Sequence, residues 1–176
     1  LWGLAHICNG PDERAEFLLS ECPNLVDLLS EGINSHNSAI VTPSIRAIGD
    51  LFSGSDAQTQ MVLDQGILDN FPVLMRHASV TIRKEACWSL SNVAAGTAAQ
   101  VHFVLNPAIL FPLLRCCHDT ATEVQKEALW TVGSAVCGAA KCEAADVFIQ
   151  CGIFETLLKV FEVSDETEVL ELALGT

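Results

Sequence analysis

Apolar residues recur along this chain at the spacing of a helix. Ile82, Ala86, Leu90, Val93 and Ala94 fall at i, i+4, i+8, i+11 and i+12, and Val124, Ala128, Val132, Ala135 and Val136 repeat that spacing 42 residues later. A stripe of this kind, with polar residues between, predicts an amphipathic helix that buries one side. The stripe is part of a longer repeat. Residues 42–54, 84–96 and 126–138 align without gaps at an offset of 42, and residues 2–10 are a further copy offset by 44. Between the copies Leu25, Ile67, Ile109 and Ile153 each open a second apolar segment, at offsets of 42, 42 and 44. A period near 42 is that of a solenoid whose units hold two or three helices. Gly54, Gly96 and Gly138 close the copies, where left-handed C-terminal caps are expected, and Gly66 and Gly152 mark breaks before the next helix. Residues 1–7 already read as helix and residues 168–174 begin a truncated copy. The expectation is one all-α array over residues 1–176, about four units long, cut from a longer protein.

The side of the repeated helix away from the apolar stripe carries the informative residues. Glu85, Trp88 and Asn92 fall at i, i+3 and i+7, which is one helix face. The next copy places Glu127, Trp130 and Ser134 there, the first copy Trp2 and His6, and the second Arg46 and Asp50. All three tryptophans of the chain thus share one repeat position. Equivalent helices of successive solenoid units stack about 10 Å apart, so this face becomes a continuous inner wall. Neighbouring Trp88 and Trp130 would form a slot for the stem of Lys or Arg, with cation–π attraction to its head group. Glu85 and Glu127 would pair with that head group, and Asn92 would hold the backbone of an extended peptide. Arg46 and Asp50 also have the spacing of an i, i+4 ion pair.

Composition agrees with a basic ligand. Lys plus Arg total 9 against 22 Asp plus Glu, a net charge of −13. Nine scattered cations build no basic patch, which argues against nucleic acid. No apolar run reaches the ~18–20 residues that cross a bilayer, so no membrane is expected. The eight cysteines (Cys8, Cys22, Cys87, Cys116, Cys117, Cys137, Cys142 and Cys151) show no C-x-x-C pair, and most sit among Ala, Val and Leu. They read as buried thiols in a reducing compartment, with no metal site and no cofactor. No phosphate loop, His-Glu-x-x-His or Gly-x-Ser-x-Gly motif is present, and the five histidines are dispersed. An enzyme is therefore not expected.

The period lies in the armadillo/HEAT range. Residues 84–96, Lys-Glu-Ala-Cys-Trp-Ser-Leu-Ser-Asn-Val-Ala-Ala-Gly, resemble the third helix of an armadillo repeat in the importin alpha family of nuclear-import adaptors. Residues 41–60, with Arg46 in the Trp position and the tail Gly54-x-Asp56-x-Gln58-Thr59-Gln60, resemble that family's sixth repeat. The resemblance implies a right-handed armadillo-repeat superhelical solenoid running from the end of repeat five into repeat nine. Trp2 then belongs to repeat five, Trp88 to repeat seven and Trp130 to repeat eight. It implies an adaptor that binds the basic nuclear localisation signals of cargo proteins, in cytoplasm and nucleus. Of the family's two sites, only the minor site falls in this chain. Glu85, Trp88, Ser91, Asn92, Glu127 and Trp130 match groove positions. Phe52, Ser53, Gly54, Asp56 and Thr59 match the segment lining the basic-residue pocket of the sixth repeat, with Asp56 as the pairing carboxylate. Ser134 and Asp50 depart from the family's Asn, and His6 from its polar aromatic or Asn. The resemblance also implies importin beta as a partner through a segment absent from this sequence, and allows an export receptor and nucleoporins. The alternative is a catenin-like armadillo scaffold. Such grooves are rich in Lys and Arg and take acidic ligands, the opposite sign to the acids and Trp seen here.

Overall fold

The computed structural model describes every residue except 1, 10, 11, 142, 143, 145 and 176, so the expectations for Leu1, Gly10 and Cys142 lie outside the described residues. The described residues form helices joined by short turns, with no strand among them. In order they are α1 (Trp2–Cys8), α2 (Asp12–Glu21), α3 (Leu25–Ile33), α4 (Ser38–Phe52), α5 (Asp56–Leu63), a 3-10 turn (Ile67–Asn70) running into α6 (Phe71–Leu74), α7 (Val80–Ala95), α8 (Ala98–Val104), α9 (Pro107–Cys116), α10 (Thr122–Lys141), α11 (Asp146–Gln150), α12 (Ile153–Val163) and α13 (Thr167–Gly175).

The helices group in threes: a short helix, a second apolar helix and a long third helix. The third helices α1, α4, α7, α10 and α13 pack in succession, each on the one before. The second helices α3, α6, α9 and α12 do the same on the other side, through the 3-10 turn where α3 meets α6. The predicted stripe is what lies between these layers: Ile82, Ala86, Leu90 and Val93 are fully buried, as are Val124, Ala128, Val132 and Ala135. Leu25, Ile67, Ile109 and Ile153 are buried at or near the start of each second helix. In the third unit the second helix is split into a 3-10 turn and α6, because Pro72 has no N–H to continue an α-helical ladder.

Side-chain hydrogen bonds that leave the local sequence span one repeat. Asn92 Nδ2 donates to the Gly49 carbonyl (3.1 Å), Gln100 Nε2 to the Asp56 carbonyl (2.7 Å) and Thr131 Oγ1 to the Cys87 carbonyl (2.9 Å), over separations of 43, 44 and 44 residues. Each unit therefore grips only its neighbours, the one-dimensional energetics of a solenoid.

The repeated glycines act differently from expectation. Among the described residues the positive-φ glycines are Gly66 and Gly152, which do mark the breaks before the second helices. Gly54 and Gly96 are not left-handed, and Gly138 lies inside α10. What they provide is room. A Cβ at Gly54 or Gly96 would stand 2.1 Å from Oε1 of Gln58 or Gln100. Those glutamines close the capping boxes Ser55-x-x-Gln58 and Thr97-x-x-Gln100 at the starts of α5 and α8. A Cβ at Gly138 would meet Val101 at 2.6 Å and the Ala94 carbonyl at 3.1 Å, so Gly is what lets α10 approach α7 and α8.

Cys8, Cys87, Cys116 and Cys117 are buried as small apolar groups, but Cys22 and Cys137 are exposed, contrary to the expectation of interior thiols. Among the described residues no single helix is long and apolar enough to cross a membrane; the pair α8 and α9 passes on length and composition only when combined, and bends by 69°.

Arg83 of α7 grips Asp119, in the turn before α10, through Nε (2.6 Å) and Nη2 (2.8 Å), with little of either side chain exposed. Burial alone would raise the Asp119 carboxyl, but the Arg83 hydrogen bonds, the Ala121 N–H and the Arg83 charge outweigh it and hold the carboxyl below its ordinary value. A carboxylate whose folded pKa is depressed adds stability above its unfolded pKa of about 3.9 and loses it as pH falls through the folded value. Asp119→Asn should therefore destabilise at pH 7, on the order of 3 kcal/mol, and flatten the loss of stability between about pH 5 and 3. Urea unfolding of both proteins across that range checks it.

Candidate functional site

The third helices carry the repeated Trp/Arg and Asn/Asp/Ser positions, so their spacing decides where those side chains go. α7 lies close enough to α4 that a Cβ at Gly49 would stand 2.2 Å from the Trp88 ring. The indole rests on bare backbone and is half-buried, whereas Trp2 and Trp130 are 62% and 60% exposed. The Arg46 guanidinium carbon lies 4.4 Å from the Trp88 ring centroid, within cation–π range. Arg46 Nη1 also donates to both carboxylate oxygens of Glu85, at 3.3 and 3.2 Å. Arg46 Nε stands 3.6 Å from Asp50 Oδ1, so the expected i, i+4 pair is present. That same Asp50 oxygen accepts from Asn9 Nδ2 at 3.2 Å. One cation thus ties α1, α4 and α7 together through two acids.

These contacts correct two expectations. Glu85 was expected on an exposed face, ready for a ligand cation; it is 8% exposed and already paired with Arg46. The cause is positional. Arg46 occupies Trp88's own place one unit earlier, and Glu85, one turn before Trp88, faces it across the helix interface. Ser91 is likewise buried, and its hydroxyl donates to the Trp88 carbonyl at 2.7 Å. Ser134 donates in the same way to the Trp130 carbonyl at 3.0 Å, so neither hydroxyl proton is offered to a ligand.

Burial raises the Asp50 carboxyl above its ordinary value; Arg46 pulls it back only in part, the Glu85 charge adds to the rise, and the Asn9 bond subtracts from it. Glu127 is raised by burial too, with Lys84 offsetting and Glu85 reinforcing. As pH falls, these two acids therefore give up their charge earlier than ordinary carboxylates of their type.

Phe52, Ser53, Gly54, Asp56 and Thr59 converge with Asn92 around one cavity of about 220 Å³, which spans the end of α4, the start of α5 and the end of α7. Its walls are fixed from behind. Phe52 is buried against Phe71, ring centroids 6.5 Å apart, and Thr59 Oγ1 donates to the Phe52 carbonyl at 3.2 Å. Gln100 anchors the Asp56 backbone, while the Asp56 side chain is exposed at the first residue of α5. Asn92 spends Nδ2 on the Gly49 carbonyl and keeps Oδ1 as an acceptor. Trp130 lines a larger, mainly apolar recess of about 590 Å³ among α7, α10 and α13, with Ser134, Glu168 and Glu171 on its rim. A third recess, about 260 Å³, holds Trp2, His6, Asn9, Arg46 and Asp50. Candidate residues from three units therefore line neighbouring recesses of one wall. Among the described residues no group of His, Cys, Asp and Glu is placed to hold a metal ion.

Sequence reasoning missed Asn9 and the paired glutamines. Asn9 has no repeat partner that signals its role. Gln58 and Gln100 were readable, since Ser/Thr-x-x-Gln recurs at the 42-residue offset just after Gly54 and Gly96.

Known proteins resemble this chain in sequence and in fold. The family model for the Armadillo/beta-catenin-like repeat matches residues 55–95, which is one complete unit from the α5 cap to the end of α7. The chain is similar to importin subunit alpha-1a of Oryza sativa subsp. japonica, 31% identical over 97 residues, covering 53% of this chain and 18% of that protein. It is 34% identical over 91 residues to importin subunit alpha-7 of Arabidopsis thaliana (49% and 16%) and 33% over 93 residues to importin subunit alpha-2 of Caenorhabditis elegans (51% and 17%). The matched stretch thus spans less than a fifth of these relatives. A designed armadillo repeat protein solved in complex with the peptide (KR)4 superimposes with a TM-score of 0.83 at 26% identity, covering 98% of this chain and 70% of that one. An engineered protein superimposes at 0.84 with 25% identity, covering 99% and 41%.

Gly49→Ala tests the close approach that seats Trp88. The added methyl should push the indole off α4 and away from Arg46, at a cost of about 1–3 kcal/mol. Urea unfolding would read the loss, and acrylamide quenching of Trp emission should rise.

Proposed function

We propose that this chain, an armadillo-repeat array similar in sequence to importin alpha subunits, is a nuclear-import adaptor module that binds basic nuclear localisation signals along its inner wall. The observation that carries the reading is the cavity where Asp56 and Asn92, at the start and end of one unit, meet Phe52 and Ser53 of the unit before around a recess of side-chain size. A Lys or Arg side chain entering it meets a carboxylate at the mouth and carbonyl-type acceptors on the wall. Asn92 Oδ1 accepts a peptide N–H, and repetition of the wall at one unit's spacing suits an extended ligand. Trp130, mostly exposed, offers a ring face to a further cationic or apolar side chain.

The wall acts by non-covalent grip, and no enzymatic role is proposed. The net charge of −13 draws a basic peptide in from a distance, and salt weakens that pull. Shuttling between cytoplasm and nucleus, and partnership with importin beta, an export receptor and nucleoporins, belong to the same proposal. The catenin-like scaffold is less favoured: Asp56 and Glu171 line recesses of the wall, and the cation Arg46 is already paired with acids.

The test is binding of fluorescein-labelled (KR)4 peptide to the chain by anisotropy. Binding is expected, weakening as salt rises from about 50 to about 300 mM, which shortens the screening length roughly 2.5-fold. Asn92→Ala should cost about tenfold, the worth of one lost backbone bond and its unpaired partner. Trp130→Ala should cost roughly 3- to 30-fold, the range of a cation–π contact of ~0.5–2 kcal/mol. No binding of (KR)4, or tighter binding of a (DE)4 peptide, would sink the proposal.

The same assay should depend on pH. Asp50 and Glu127 have raised pKa values, so both neutralise before ordinary carboxylates do as pH falls. Peptide affinity is expected to decline earlier, as pH falls, than ordinary carboxylates alone would make it, and Glu127→Gln should move the decline to lower pH. A pH profile that Glu127→Gln leaves unchanged would contradict it.

A further inference from the structure

Arg46 stands where the neighbouring third helices carry Trp2, Trp88 and Trp130. Its guanidinium has an aromatic face at 4.4 Å, a carboxylate accepting from Nη1 through both oxygens, and a second carboxylate 3.6 Å from Nε. Ring, paired acid and flanking acid are the groups that recognise a guanidinium ligand. We infer that the Trp88–Glu85–Asp50 cluster is a guanidinium-binding seat between α4 and α7, filled from within by Arg46 and so closed to basic ligands.

The geometry favours an internal occupant. Gly49 brings α4 so close to Trp88 that a Cβ there would stand 2.2 Å from the ring, which puts the ring within reach of a side chain one turn earlier on the same helix. A tethered group competes at an effective concentration of order millimolar or more, so a free cation at lower concentration does not displace it. Two acids share one cation, which leaves the cluster negative overall. Asn9, donating to Asp50, holds the second acid in place from α1. Removing the guanidinium would leave the ring face and both carboxylates arranged around an empty site of one guanidinium's size. The inference rests on reading the inner wall as a cation-binding surface, but the seat can be tested with no peptide present.

The probe is methylguanidinium chloride at millimolar concentration, with methylammonium chloride as a control for ionic strength. Thermal unfolding is followed for the unmutated chain, Arg46→Ala, Arg46→Gln and Arg46→Ala/Glu85→Gln. Methylguanidinium should raise the Tm of Arg46→Ala saturably, by roughly 3 °C at ten times its Kd. It should leave the unmutated chain at the control value and have less effect on the double variant. Arg46→Gln keeps the side-chain stem and carries the same comparison if Arg46→Ala does not fold. A second arm measures (KR)4, which should bind Arg46→Ala or Arg46→Gln at least fivefold tighter than the unmutated chain. Saturable stabilisation of an Arg46 variant while (KR)4 binds neither protein would leave the seat standing and remove the peptide groove. Equal methylguanidinium responses in the unmutated chain and the Arg46 variants, with equal (KR)4 affinities, would overturn the seat and leave the groove.

Discussion

The close side-by-side packing of the third helices is what the rest of the structure depends on. α4, α7 and α10 approach through positions that tolerate no added methyl: Gly49 under Trp88, and Gly138 against Val101 and the Ala94 carbonyl. At that distance a side chain on one helix reaches the backbone of the next, as Asn92 reaches Gly49 and Thr131 reaches Cys87. Residues 42 apart in sequence then become neighbours in space. A repeated residue type therefore becomes a line of like groups on one wall, which is how a solenoid builds an extended binding surface.

The same packing redistributes charge. Read as a list, the acids of this chain greatly exceed its cations. Read in space, they have separate roles. Glu85 and Asp50 are consumed by Arg46, Asp119 by Arg83, and Glu168 pairs with Lys126 across one unit. Asp56 stands exposed at the mouth of its cavity, and Glu171 lines the Trp130 recess. Part of the negative charge thus fixes one unit to the next, and part faces the space where a ligand would lie. Burial of Asp50 and Glu127 makes both give up their charge earlier, as pH falls, than ordinary carboxylates of their type.

Most of the fold was legible because a helix repeats every 3.6 residues and a unit every 42, and both periods survive sequence variation. The stripe from Ile82 to Ala94, the starts at Leu25, Ile67 and Ile153, and the shared face of the three tryptophans could be read directly. What could not be read is what depends on distance between units. Glu85 looked free because its partner is 39 residues away, on a helix whose separation no linear pattern states. Gly96 does sit at the C-cap of α7, but neither it nor Gly54 takes the left-handed geometry that glycine after a helix suggests; the need for space beside Gln58 and Gln100 appears only when the chain folds. Cys22 and Cys137 were expected inside with the other cysteines but are exposed, Cys137 in the Trp130 recess. Of the site, the residue types and their shared wall were legible, whereas the partition into three recesses and the internal occupancy of Trp88 were not.

A ¹⁵N NMR titration that follows the three tryptophan indole N–H signals tests the peptide-binding wall most directly. Each tryptophan belongs to a different unit of the same wall. Added (KR)4 should shift the Trp130 indole most, move the Trp88 indole less because Arg46 covers one of its faces, and perturb the Asn92 side-chain amide along with them. Saturating peptide that leaves all three indoles and Asn92 unmoved, or shifts only residues of the second-helix layer, would contradict a basic-peptide groove on the inner wall.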